Sequence, residues 1–198
     1  MDAFVAFGPA GLEAVEAMIR DSRWFVVRNG VRLLPDVGGR RAMDHLAAAL
    51  GHPDGRVRRE AINGLARIGG EEASRLVLAV LDDEQADVRS AAAKALGVMG
   101  GNQAGPALLH RLDTEPDGDV QIEVVRAVGR TGWAAAVPLL ERRAQASFFS
   151  RPPAELRIAS LRALWSVGTP EARTVVMHAL DDRDPEVRGA VRTLLGGH

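Results

Sequence analysis

At 198 residues and a formal net charge of −1, the chain can bury a sizeable core and has no global attraction for nucleic acid or anionic lipid. It has no cysteine, which excludes disulfides and thiolate metal sites. No run approaches the roughly 18 apolar residues of a membrane span, and "MDAFVAFG" lacks the basic region of a signal peptide, so a cytoplasmic protein is expected.

From the N-terminus, residues 1–8 read as the end of a helix whose beginning is missing. Gly8 is in register with later helix-closing glycines, and Phe4, Val5 and Phe7 form an uncapped apolar edge. That edge predicts a fragment of a larger protein, a buried end, or self-association. The first full helix signal is "DSRWFVVRNGVRLLPDVGG" (21–39), closed by Gly38. Four more follow: "VRREAINGLARIGG" (57–70), "VRSAAAKALGVMGG" (88–101), "VQIEVVRAVGRTGW" (120–133) and "LRIASLRALWSVGT" (156–169). "VRGAVRTLLGGH" (187–198) ends the series. Each begins on an apolar residue, with small or apolar residues four and eight positions later (Val57, Ala61 and Leu65, for example), the one-face spacing of an amphipathic helix. Gly69, Gly100, Gly132 and Gly168 close the complete copies, where glycine suits the left-handed residue that ends a helix.

Beyond each glycine a second, shorter helix is predicted. Alanine recurs four residues on (Ala42, Ala73, Ala104, Ala136, Ala172), and apolar residues follow at seven, eight and twelve. It ends in an acidic turn such as "DDEQAD" (82–87) or "DDRDPE" (181–186), where Asp184 before Pro185 is a good N-cap. The unit is therefore helix A, acidic turn, helix B, glycine, in one domain spanning 1–198. Its repeats run over 9–38, 39–69, 70–100, 101–132, 133–168 and 169–198. Two short helices cannot bury their own apolar face, so the units must stack around a shared core.

The motif D-x-x-V-R-x-x-A-x-x-A-L-G-x-x-G, present as "DGRVRREAINGLARIG" and "QADVRSAAAKALGVMG", resembles the HEAT repeat, specifically the short bacterial type also seen in phycobilin lyases. The resemblance covers nearly the whole chain and implies an all-α, right-handed α-solenoid of about six two-helix repeats. It further implies a protein-binding scaffold, with B helices lining the concave side. Pro106 and Pro138 fall inside A helices, where they would bend them. The arginine after each lead residue (Arg28, Arg58, Arg89, Arg157, Arg188) reads as a structural ladder to turn aspartates, weakened where Gln121 replaces it.

Catalytic constellations are thin. No two histidines stand three or four apart, no His-Glu dipeptide exists to match the iron-binding pairs of deoxyhypusine hydroxylases, and no phosphate loop or nucleophile elbow is present. No cofactor or metal is expected. What remains is a surface. Arg32, Arg59, Asn63, Arg67, Lys94, Arg126, Arg130 and Arg162 lie opposite the core stripe of their B helices, with Trp165 beside them as a candidate anchor. The stripe fits an acidic or mixed protein segment. It also fits a solvated face rich in arginine only because a GC-rich bacterial genome favours that codon. Nucleic acid ranks behind protein as a partner because net charge is near zero. A lyase subunit handling a chromophore-bearing protein, or a DNA glycosylase, is the enzymatic alternative. Trp24 and Trp133 read as packing between units. Finally, the spacing from Gly132 to Leu156 is 24 against 19 or 20 elsewhere. This places an insertion at "RRAQASFFSRPPAELR" (142–157), whose Phe148 and Phe149 either cover the neighbouring unit or form an exposed apolar contact.

Overall fold

The computed structural model describes residues 8–100, 103–146 and 152–196. Phe148 and Phe149, like Phe4, Val5 and Phe7, lie outside the described residues. The described residues form twelve α-helices and no strand. The A helices are α1 (Gly8–Ile19), α3 (Gly39–Ala49), α5 (Gly70–Leu78), α7 (Ala104–Thr114), α9 (Val137–Ala144) and α11 (Pro170–His178). The B helices are α2 (Trp24–Val37), α4 (Gly55–Ile68), α6 (Ala86–Met99), α8 (Gly118–Thr131), α10 (Ala154–Val167) and α12 (Pro185–Gly196). Six A–B hairpins thus succeed one another in an all-α repeat solenoid. They group into two compact units, Met1–Met99 and Gly100–His198.

Local chemistry sets the helix ends. Asp117 caps α8, its Oδ1 accepting from the backbone N–H groups of Asp119 and Val120 at 3.0 Å each. Asp54 caps α4 through the N–H of Arg56 at 2.9 Å, and Asp184 accepts from Glu186 at the start of α12. Thr169 caps α11 ahead of Pro170, which needs no N–H in the first turn. All five closing glycines have φ between 65° and 74°. Gly132 and Gly168 are left-handed caps, as expected. Gly38 and Gly69 instead combine positive φ with ψ near −170°, a region only glycine adopts at ease.

The proline expectation needs correction. Pro106 is the third residue of α7 and Pro138 the second of α9, so each sits in a first turn, where a missing N–H breaks no intrahelical bond. Ahead of Pro138, Ala134–Ala136 forms a 3-10 turn that leads into α9. The proline inside a described helix is Pro35, in the last turn of α2.

The predicted triads are buried: Val57, Ala61 and Leu65 on α4, Val88, Ala92 and Leu96 on α6, and Val120, Val124 and Val128 on α8. The buried face is wider than one stripe, however. Ile62, Ala93, Val125 and Leu161 are also buried, one residue past the middle of each triad. A B helix packs against its own A helix and against neighbouring B helices in its unit, which demands two buried flanks. Small residues allow that second approach. At Gly129 on α8 a Cβ would lie 2.8 Å from Cα of Ala163 on α10, and Ser166 Oγ donates to the Gly129 carbonyl at 2.9 Å.

The arginine after the lead residue joins the hairpins. Arg58 holds Asp83 of the next turn with two 2.7 Å bonds, and its remaining nitrogen donates to the carbonyls of His52 and Pro53 at 2.9 and 3.0 Å. Arg157 also reaches the next turn, with one bond to Asp182, while its Nε donates to the Ala144 carbonyl at 3.0 Å. Arg89 and Arg188 donate to the carbonyls six residues back, and Gln121 keeps that same contact, to Glu115, at 2.6 Å. In the first repeat Arg28 turns instead toward Asn29 and the face of Trp24.

Candidate functional site

In the unit Met1–Met99, α2, α4 and α6 lie in sequence with their outer faces exposed. Arg32, Asn63, Arg67 and Lys94 are all solvent-exposed there and Arg59 is half-buried. Arg59 pairs with Asp87 at 3.3 Å, and Arg67 pairs with Asp36 while donating to the Arg32 carbonyl at 3.4 Å. Between α2 and α4 opens a groove of about 690 Å3, lined by Asn29, Arg32, Leu33, Asp36, Glu60 and Arg67. Val98, one turn beyond Lys94, is 66% exposed.

In the unit Gly100–His198 the exposed Arg126 and Arg130 both reach Glu123, at 3.5 and 2.8 Å. Arg162 on α10 is exposed as well. Trp165 is half-buried, and the Arg173 guanidinium from α11 lies 4.6 Å above its ring. Its indole is therefore covered from the following A helix.

Asp36, Glu60, Asp87 and Glu123 lie on B helices, interleaved with the arginines. The face is of mixed charge. Among the described residues Arg32, Lys94 and Arg162 form no ion pair, so uncompensated positive charge is confined to those three positions of the predicted stripe.

Two further clusters lie elsewhere. Trp24 packs between adjacent repeats, with the Arg56 guanidinium 3.3 Å from its ring centre and Phe25 edge-on at 5.9 Å. Trp133 likewise packs against Gly105 of the preceding repeat. Sequence reasoning missed the second cluster. Glu16 on α1 is buried and accepts from Arg41 at 2.6 Å and from Arg20 at 3.1 Å, with His45 Nε2 at 3.0 Å. The His45 hydrogen bond first, and then the two guanidinium charges against the cost of burial, hold its carboxyl below the usual 4.5. The pairs Glu16–Arg20 and Arg41–His45 are each legible at helical spacing, but their convergence is tertiary. Asp54 is likewise drawn down to about 2 by its Arg56 partner. Among the described residues no three His, Asp or Glu side chains converge as metal ligands, and no helix is long and apolar enough to cross a membrane.

No curated protein sequence matches the chain. Among solved structures, the CpcE–CpcF complex of phycocyanin lyase from Nostoc sp. is similar at a TM-score of 0.62 and 23% identity, over 93% of this chain and 76% of that one. An engineered protein superposes at 0.59 with 20% identity, over 93% and 95%. The S. pombe condensin Cnd3–Cnd2 subcomplex superposes at 0.64 with 20% identity, over 93% of this chain and 28% of that one. At these identities the likeness is one of fold. The sequence profile of HEAT repeats matches residues 12–97, 43–129 and 75–150. With more than half of its length so matched, the chain belongs to the HEAT repeat family.

Proposed function

We propose that the chain is a non-enzymatic scaffold that binds another protein along the exposed face of its B helices, and that the bound segment is acidic or of mixed charge. The observation that carries this reading is the unequal pairing on that face. Arg59, Arg67, Arg126 and Arg130 are held by Asp87, Asp36 and Glu123, whereas Arg32, Lys94 and Arg162 stand exposed without an ion pair among the described residues. Exposed cations set among neutralised ones favour an anionic partner at fixed positions. The HEAT repeat fold supports the same class, since stacked hairpins expose a row of helix faces within each unit.

The test is affinity capture with the intact protein, comparing it with the triple variant Arg32→Glu, Lys94→Glu, Arg162→Glu. A partner retained by the native protein and lost by the variant, at unchanged helical circular dichroism, supports the reading. A co-purifying tetrapyrrole absorbance would point to the lyase class instead. Retention of DNA with a steep salt dependence would point to nucleic acid.

A further inference from the structure

Within the unit Met1–Met99 the unpaired positions share one register. Arg32, Asn63 and Lys94 each stand six residues before the closing glycine of their repeat, Gly38, Gly69 and Gly100. They therefore occupy the same height on α2, α4 and α6, three helices packed side by side. All three side chains are exposed, and among the described residues neither cation has an ion pair and the Asn63 side chain has no hydrogen bond. Charge on either side of this row is already neutralised. Arg59–Asp87 lies one to two turns toward the N-terminal ends, and Arg67–Asp36 about a turn toward the glycines. Near the middle of the row, Glu60 enters the groove beside Arg32 and adds a negative charge.

We infer that this row selects an extended peptide segment carrying two acidic residues five or six positions apart, with a neutral or basic residue between them. The inference rests on the binding face proposed above and adds the partner's pattern. Packed helices lie about 8–10 Å apart, so Arg32 and Lys94 are separated by about 16–20 Å. An extended chain advances about 3.3 Å per residue, and five or six residues span that distance. The centre of the segment passes over Asn63 and Glu60. An amide offers it hydrogen bonds and a carboxylate repels an acid, so the middle residue is not acidic.

Fluorescence anisotropy on the full chain at low salt tests this with three labelled peptides of equal length. One carries two glutamates six apart around a central lysine, one carries adjacent glutamates, and one replaces the central lysine with glutamate. The first should bind tightest, and Arg32→Gln and Lys94→Gln should each weaken it about two- to fivefold, the range of a single exposed ion pair. Arg59→Gln, on the neutralised flank, should change it less than either. Equal binding of all three peptides, still weakened by both variants, overturns the pattern while leaving the B-helix face as the binding surface. Binding unaffected by either variant, or no binding to any of the three, overturns the pattern as well; only the affinity capture then decides the face. Displacement of the first peptide by a single-stranded oligonucleotide at lower concentration than by unlabelled peptide assigns the row to nucleic acid and also overturns it.

Discussion

Two arginines adjacent in sequence, Arg58 and Arg59, show how position decides what a charge contributes. The Arg58–Asp83 pair is buried, each side chain 8% exposed, and every Arg58 nitrogen has an oxygen partner. Removing one member strands the other in a poorly solvated site, which costs about 3 kcal/mol or more. Arg58→Ala should lower unfolding free energy by that amount in a urea titration. Arg59→Ala, which loses an exposed pair with Asp87, should change it by less than about 1 kcal/mol. Glu16 makes a prediction with a sign. Its folded-state carboxyl sits below 4.5, so the unfolded chain binds more protons than the folded one in acid. Its contribution is complete above pH 4.5 and is lost as pH falls through the lower folded value. Stability measured from pH 6 down to pH 3 should therefore fall less steeply in Glu16→Gln than in the native protein. Parallel slopes would remove Glu16 as a source of acid sensitivity.

At the scale of the helix, the repeat was legible because its signals are local. Lead residue, fourth and eighth positions, capping aspartate and closing glycine all fall within one hairpin; the structure buries the triads of α4, α6 and α8, caps α4, α8 and α12 with aspartate, and gives every closing glycine a positive φ. What spacing could not reveal depends on a neighbouring helix. The second buried flank, Ile62, Ala93, Val125 and Leu161, is apolar or small in sequence, but only B-to-B packing explains it. The same limit hid the acids of the candidate face. Asp36 and Asp87 belong to different repeats from the arginines they neutralise, so a reading by repeat position assigned the stripe more free charge than it has. Trp165 stood near the stripe by helical angle, yet Arg173 from α11 covers its ring. The close B-to-B approach yields a direct test. In Gly129→Val the added side chain must displace Ala163, backbone included, and overpacking of this kind costs about 1–3 kcal/mol. Gly118→Ala, at the start of the same helix with open space around it, should be close to neutral in the same melt.

Within each compact unit a hairpin packs against its sequence neighbours, which gives stability a one-dimensional character there. Each compact unit has its own apolar core, with Leu34, Leu46, Ile62 and Leu65 in one and Leu108, Leu112, Leu140 and Leu164 in the other. The ladder bonds follow the same division: Arg58–Asp83 lies within the first unit and Arg157–Asp182 within the second. A lesion in one ladder bond should consequently be felt mainly in its own unit. In Arg58→Ala, native-state hydrogen exchange should accelerate in α3 to α6 at positions protected in the native protein. Amides of α8 and α10 should keep most of their protection, since local opening rather than global unfolding governs them. Arg157→Ala should give the mirror pattern, sparing α2 and α4. Equal loss of protection along the chain in both variants would mean that the two units unfold as one cooperative block. The separate cores would then not behave as separate sources of stability.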